Sequence, residues 1–419
     1  MFKVIANAWK VTDIRNKILF ICFILCIYRL GTHIPLPGLD IIAWREWITN
    51  QGTDAITTLY SIIVGGGVGT IFAMGIGPYI TASIIMQLLT VAIPKLEQLK
   101  KEGEEGRKKI GQYTRWLAVV LATIQGGGTV YSLRYLFIYQ SWFTYFMATV
   151  AIVTGSIFIM WLGELITEKG IGNGASFLIC SNILAGLPGA ITGLALVTVG
   201  GDVFQYLSVA LMALLFLAVV VFVVFIQDGE RRIPVQYSKK LVGRQTYGGS
   251  SSYIPIKVNI AGVMSIIFAI SLLQFPSVIS QFVPGNNFLT QMVNLLSTNH
   301  WFGASLYVVL IFCFTFFYTS FAVNPIEMAE NMKKNGGFVP GLRPGKPTSD
   351  YIGRTINRMS WIGAASYAFI AIMPVIFQWI FRVNIGWGGT TLLIVTGVTL
   401  EIIKQLESQL LMRHYKGFL

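Results

Sequence analysis

The chain has 419 residues, of which 54% are hydrophobic and only 12% charged, against roughly 25% charged in an average soluble domain. With a mean hydropathy of +0.66 it lacks the polar surface needed to coat a water-soluble globule. That excludes disordered, collagen-like and disulfide-scaffold classes and leaves a multispanning membrane protein. The charge is lopsided: 31 Lys and Arg stand against 18 Asp and Glu, a net +13. A chain this apolar must segregate so large an excess.

A helix needs about 20 mostly apolar residues to cross the hydrocarbon of a bilayer. In chain order such runs fall at 17–34, 71–93, 113–133, 142–162 and 174–197, then at 203–226, 258–281, 302–323, 360–381 and 385–403. Strand-like alternation is absent from them, so the expected fold is an all-α membrane bundle of ten spans and not a β-barrel. Before the second run, residues 57–69 (TTLYSIIVGGGVG) are semi-apolar, too short to cross, and end in glycines. They read either as an interfacial re-entrant helix or as a movable stopper in a vestibule. The intervals between runs alternate in charge: apart from Arg29, Arg45, Arg134 and Arg382, every Lys and Arg falls on one side. The positive-inside rule makes that side cytoplasmic and puts both termini there. The basic N-terminus and the apolar stretch from Ile18 carry no small-residue cleavage site, so they read as an uncleaved first helix.

Chemistry-bearing constellations are missing. Cys22, Cys26, Cys180 and Cys313 all lie in apolar runs and read as small buried hydrophobes. His33, His300 and His414 show no metal-ligand spacing. Arg29 lies near the outer end of its run, and Glu164, Glu168 and Glu401 lie near cytoplasmic ends. Gly345-Lys346 lacks a phosphate loop's first glycine, since Pro340 stands there, and Gly170–Gly174 lacks the dinucleotide spacing. No catalytic residue, metal site or cofactor is expected. The pattern suits a passage or a scaffold.

Two other features remain. Thr81, Gln87, Gln125 and Asn259 are polar residues in apolar runs, either as helix glue worth about 0.6–2 kcal/mol or as a separable seam. The intervals 228–257 and 324–357 are long, basic and rich in turn residues. They read as binding surfaces or as a basic fringe attracted to anionic lipids.

Long strings carry a resemblance: MGIGPYITASIIMQLL (74–89), EGEEGRKKIGQYTR (102–115), MWLGELITEKGIGNGAS (160–176), YIPIKVNIAGV (253–263), NPIEMAENMKKNGGFVPGLRPGK (324–346) and GGTTLLIV (388–395). The chain resembles the SecY family, the central subunits of bacterial protein-translocation channels, over essentially its whole length. The resemblance implies two pseudo-symmetric five-helix halves, 1–200 and 201–419, around an hourglass pore. It implies a pore ring of Ile76, Ile80, Ala175, Ile179, Ile267 and Ile394. Ala175, smaller than the others, leaves the seal locally wider or dependent on a neighbour. The stopper corresponds to the family's plug, with Leu59, Tyr60, Ile62, Ile63, Val64, Gly65 and Gly66. Thr81, Gln125 and Asn259 match a lateral gate, with Gln87 on the same helix, through which apolar segments reach lipid. Arg343, Arg231, Arg232, Lys239, Lys240 and Lys346 match a docking surface for the SecA ATPase and the ribosome, whose rRNA phosphates suit such cations. SecE and SecG subunits, signal sequences and unfolded preproteins are the further implied partners, at the bacterial inner membrane. The alternative class is an ion-coupled secondary transporter with broken helices, although the runs lack the charges it needs.

Overall fold

In the computed structural model of the chain, each apolar run overlaps a helix, and turn-forming residues decide where many of those helices start and stop. The structure describes residues 9–40, 42–44, 69–198, 203–237, 240–242, 245–247, 251–280, 287–297, 300–381 and 389–416. Helices α1 (Thr12–Gly31), α2 (Gly77–Ala92), α3 (Pro94–Lys101), α4 (Glu104–Ser132), α5 (Trp142–Lys169) and α6 (Gly174–Thr198) come first. Helix α7 (Val203–Asp228) leads to strands β1 (Glu230–Tyr237), β2 (Lys240–Val242), β3 (Gln245–Tyr247) and β4 (Ser251–Lys257). Then follow α8 (Met264–Ser280), α9 (Asn287–Leu296), α10 (Trp301–Ala322), α11 (Pro325–Lys334), β5 (Gly337–Phe338), α12 (Lys346–Phe381) and α13 (Gly389–Lys416).

Local chemistry sets the boundaries. Gly75, at φ +50°, allows the turns at 71–76 that delay the start of α2. Ile93 is extended before Pro94, the opening residue of α3, and the chain bends there by 100°. The Asn173 side chain accepts from the Ala175 N–H at 3.0 Å, and the Thr167 hydroxyl accepts from Gly174 N–H at 2.9 Å, together capping α6. Asn324 caps α11 in the same way, accepting from Ile326 N–H at 3.1 Å, and Pro325 occupies the first turn, where no N–H is required. Among the described residues, Trp142–Lys169 and Trp301–Lys334 are long and apolar enough to cross a membrane by length and composition alone, and the bent α2–α3 pair makes a third candidate. Helices α2 and α8 have 16 and 17 residues. They are shorter than their apolar runs because 71–76 and 258–263 are turns, the second around Gly262 at φ +62°.

The helix packing repeats. Helix α1 packs on α5, α2 on α4, α4 on α5 and α5 on α6. In the same order α7 packs on α12, α8 on α10, α10 on α12 and α12 on α13. The two series meet where α6 touches α7 and α13, and where α2 touches α8. One aliphatic cluster holds this junction: Ile21 and Ile24 of α1, Ile159 and Ile166 of α5, Leu178 and Ile183 of α6, Ile267 of α8, and Ile394 and Val398 of α13 all belong to it. Of the cysteines, only Cys180 is buried; Cys22, Cys26 and Cys313 are exposed, which corrects the buried reading. The outward face of a membrane bundle is itself apolar, so a small hydrophobe gains nothing by turning inward.

The basic intervals depart most from expectation. The all-α reading misses a small antiparallel sheet of order β4-β1-β5, in which Arg231 pairs with Ile256 and Ile233 with Ile254. Alternation along β1 buries Ile233 and Val235 and exposes Arg232, Pro234 and Gln236. The buried face packs with Ile256, Met332 of α11, Val339, and Ile352 and Ile356 of α12. The two stretches read as separate loops therefore fold as one unit. Much of 324–357 is helical, because α12 begins at Lys346, far ahead of the expected 360.

Gly155 marks a tight crossing: a Cβ there would run into the backbone carbonyl of Ile71 and the ring of Phe72. Gly155→Ala should therefore destabilise the bundle by about 1–3 kcal/mol, read as a lowered Tm in detergent. Gly127→Ala, where an added Cβ meets open space, should not lower it.

Candidate functional site

The six aliphatic residues of the expected ring come together. Ile76, Ile179, Ile267 and Ile394 are 1%, 2%, 6% and 1% exposed, and Ile80 and Ala175 pack against the same cluster. Ile76 ends the turn before α2, and Ile80 follows one helical turn later; Ala175 and Ile179 repeat that spacing at the capped start of α6. Residues four apart share a helix face, so each pair points one way. Ile267 lies in the first turn of α8 and Ile394 in α13. None of these side chains carries a donor or acceptor.

On one side of the cluster opens a cavity of about 500 Å³. Ile179, Ile267 and Ile394 line it with further apolar residues such as Ile260, Val263 and Leu400, and polar groups are interspersed among them: Asn173, Ser176, Gln227, Lys257, Glu401, Lys404 and Gln405. Lys404 is tied to Asp228 at the end of α7, Nζ to Oδ1 at 2.7 Å. Asn259 also lines this cavity, where its Oδ1 accepts from Gly262 N–H at 2.6 Å and pins the turn before α8. It thus stands apart from the other expected gate residues.

Those residues meet elsewhere. A cavity of about 40 Å³ between α2, α4 and α8 is lined by Thr81, Gln125, Ser271 and Gln274, with Ile80, Ile267, Ile270 and Phe275 around them. Thr81 Oγ1 donates to the Gly77 carbonyl at 3.2 Å. Gln125 Oε1 and Gln274 Nε2 are buried with no partner among the described residues, an acceptor and a donor on opposite walls of one seam. Gln87 does not line the cavity; its Nε2 donates to Ser83 Oγ at 3.3 Å within α2. Ser271 and Gln274 were missed from the sequence, although their i,i+3 spacing on an apolar helix is the available signal.

The basic surface sits on the β-sheet unit. Arg343 is exposed in the turn between β5 and α12, shaped by Gly341 and Gly345 at φ +83° and +106°. Its carbonyl accepts from the buried Thr348 hydroxyl at 2.9 Å, which fixes the turn. Arg232 is engaged: its Nε lies 2.7 Å from Glu230 Oε1, which holds its pKa up, and its guanidinium lies 4.7 Å over the Tyr253 ring. Arg231, Arg343 and Lys346 are exposed and, among the described residues, form no ion pair. Lys240 stands on β2 opposite Tyr247. Lys239 and the plug residues Leu59, Tyr60, Ile62, Ile63, Val64, Gly65 and Gly66 lie outside the described residues. Among the described residues no His, Cys, Asp and Glu cluster could hold a metal.

The SecY family profile matches residues 70–403. The chain is 44% identical to the protein translocase subunit SecY of Streptomyces galbus over 100% of both chains. It is 40% identical to that of Aquifex aeolicus over 98% of this chain and 97% of the other. The chain belongs to the SecY family. SecY proteins form translocation channels, not enzymes, and are multi-pass proteins of the membrane. The fold agrees with solved structures at low identity. A protein-conducting channel aligns with a TM-score of 0.66 at 19% identity over 93% of this chain and 91% of that one. Sec61 in a canine ribosome–channel complex aligns at 0.61 and 17% identity, with the same two coverages.

The seam between α2, α4 and α8 generates a test. Replacing both buried amides, Gln125→Leu with Gln274→Leu, removes two unsatisfied groups at once and should stabilise the closed bundle by about 1–3 kcal/mol. A raised Tm in detergent is the expected reading.

Proposed function

We propose that this SecY-family chain is the central subunit of a channel through which unfolded polypeptides cross the membrane, and from which apolar segments leave sideways into lipid. The observation that carries this reading is that six aliphatic residues from both helix series meet in one core cluster, and three of them also line a cavity of about 500 Å³ with charged and amide groups in its walls. A constriction of this kind excludes water and ions by dewetting, and an apolar ring with no directional bonds fits around many side chains in turn. The repeated helix pairing supports two halves, 1–200 and 201–419, with ten spans, and the one-sided distribution of Lys and Arg supports cytoplasmic termini. The seam carrying Thr81, Gln125, Ser271 and Gln274 is the lateral gate, between α2 and α4 on one side and α8 and α10 on the other. Residues 57–69 serve as the plug.

A signal sequence acts as a ligand that prefers the open state, which is what a population shift requires. The drive for an apolar segment to leave is its own transfer into hydrocarbon, about 25 cal/mol per Å². Energy for translocation comes from outside the chain, from the SecA ATPase or the ribosome docked on the β-sheet unit. Arg343 and Arg231 offer uncommitted guanidinium groups there for acidic protein surfaces or rRNA phosphate. Arg232, Lys239, Lys240 and Lys346 extend that surface. SecE and SecG complete the complex, and anionic lipids contact the basic fringe.

Ile267→Lys should make the resting channel leak ions in reconstituted vesicles, since a hydrated ammonium at the constriction wets it; conductance equal to the parent protein would argue against the ring. Arg343→Glu should cripple SecA-driven export into vesicles while leaving Tm unchanged. Normal export by that variant would move the docking surface elsewhere.

A further inference from the structure

Helix α3 leaves α2 at 100° and carries two adjacent lysines with different fates. Lys101 pairs with Glu97 one turn back at 2.7 Å, and both are well exposed. Lys100 is half-buried, and its ammonium sits 3.2 Å from the centroid of the Phe321 ring. Phe321 is the penultimate residue of α10, so the cation is also placed at a helix C-terminus, where the last carbonyls carry partial negative charge. Burial and the neighbouring Arg107 push the Lys100 pKa down, with Glu97 opposing them. The ammonium stands there against a desolvation cost, and the ring face is the partner it gains.

The placement gives this contact a role. Helix α3 follows α2 and precedes α4, on one side of the seam; Phe321 belongs to α10, on the other. We propose that Lys100 and Phe321 form a cation–π latch that holds the lateral gate shut at its basic end. The proposal rests on the gate reading of the α2–α4–α8 seam. A ring face is a non-directional partner, so the cation can slide off it without leaving a hydrogen-bonding group orphaned, and any acidic group brought near α3 competes for it.

The test uses the purified complex in vesicles. Phe321→Leu and Lys100→Met keep the apolar volume and remove the ring or the charge. Each should raise export of a preprotein with a weakened signal sequence by about 2-fold to 30-fold, with Tm within a degree or two of the parent. Lys100→Arg and Phe321→Trp should keep export at or below the parent level. Lys100→Met with Phe321→Leu should add little beyond either single change, as two halves of one interaction do. A disulfide between Thr81→Cys and Ser271→Cys, two residues of the seam cavity, separates the two readings. If the cross-link leaves export intact, the gate assignment fails. If it blocks export but the four single variants match the parent, the gate stands and the latch is overturned. Equal behaviour of Phe321→Leu and Phe321→Trp would also overturn it, because the ring would then be packing alone.

Discussion

A seal that must close on nothing and open around any polypeptide cannot be built from hydrogen bonds, because each bond would have to be broken and re-satisfied at every passing residue. That constraint selects aliphatic side chains, and here they serve two ends. Ile76, Ile179, Ile267 and Ile394 belong to the same cluster that joins α1, α5 and α6 to α8 and α13. On the proposed channel reading, the constriction coincides with the packed core between the two helix series, and the dispersion and burial that stabilise any interior also hold it together. On that reading, opening the passage would loosen the same cluster that joins the two series, and the waist would need no separate lock.

Polar groups are then placed where they do not compete with the seal. The larger cavity has amide, hydroxyl and charged groups set among apolar ones, and its cations are balanced: Glu401 faces the same space as Lys257 and Lys404, and Lys404 is tied to Asp228. Uncompensated positive charge sits outside, on the unit built from β1, β4, β5, α11 and the start of α12. That unit has its own small apolar core, which gives Arg231 and Arg343 a rigid base at modest cost. Neighbouring arginines divide the work: Arg232 is committed to Glu230 and Tyr253, and Arg231 remains available.

How much of this was legible in the sequence follows from signal strength. The helices were legible because apolar runs of about 20 residues have few other readings. The ring residues were not legible individually, since one isoleucine in an apolar run resembles the next, and only the resemblance singled them out. The sheet was missed because the alternation around Ile233 and Val235 spans a single short strand whose partners lie at 251–257 and 337–338. The first turns of α12 read as loop because Lys346–Met359 is polar and turn-rich, and tertiary packing of Ile352 and Ile356 holds it helical. Asn259 was grouped with Thr81 and Gln125 for the same reason that Ser271 and Gln274, which line their cavity, were overlooked. A lone polar side chain in an apolar run is ambiguous until the helix's start, and therefore its rotation, is known, and α8 starts at Met264 and not at 258.

Along the seam, weak terms of opposite sign take the place of one strong bond. Gln125 Oε1 and Gln274 Nε2 have no partner among the described residues, which costs stability; Lys100 rests on the Phe321 ring, which opposes that cost. Each such term is on the order of 1 kcal/mol. A change of about 5.5 kcal/mol carries a two-state equilibrium from almost wholly closed to almost wholly open. On the insertion scale, a leucine or isoleucine contributes roughly −0.3 to −0.6 kcal/mol at the centre of a bilayer, so about a dozen in one segment supply that amount. A segment with few apolar residues does not. On the proposed gate reading, the seam is therefore one that a hydrophobic helix can open and an ordinary polar chain does not, and discrimination between the two arises from summed hydrophobicity with no side chain read individually.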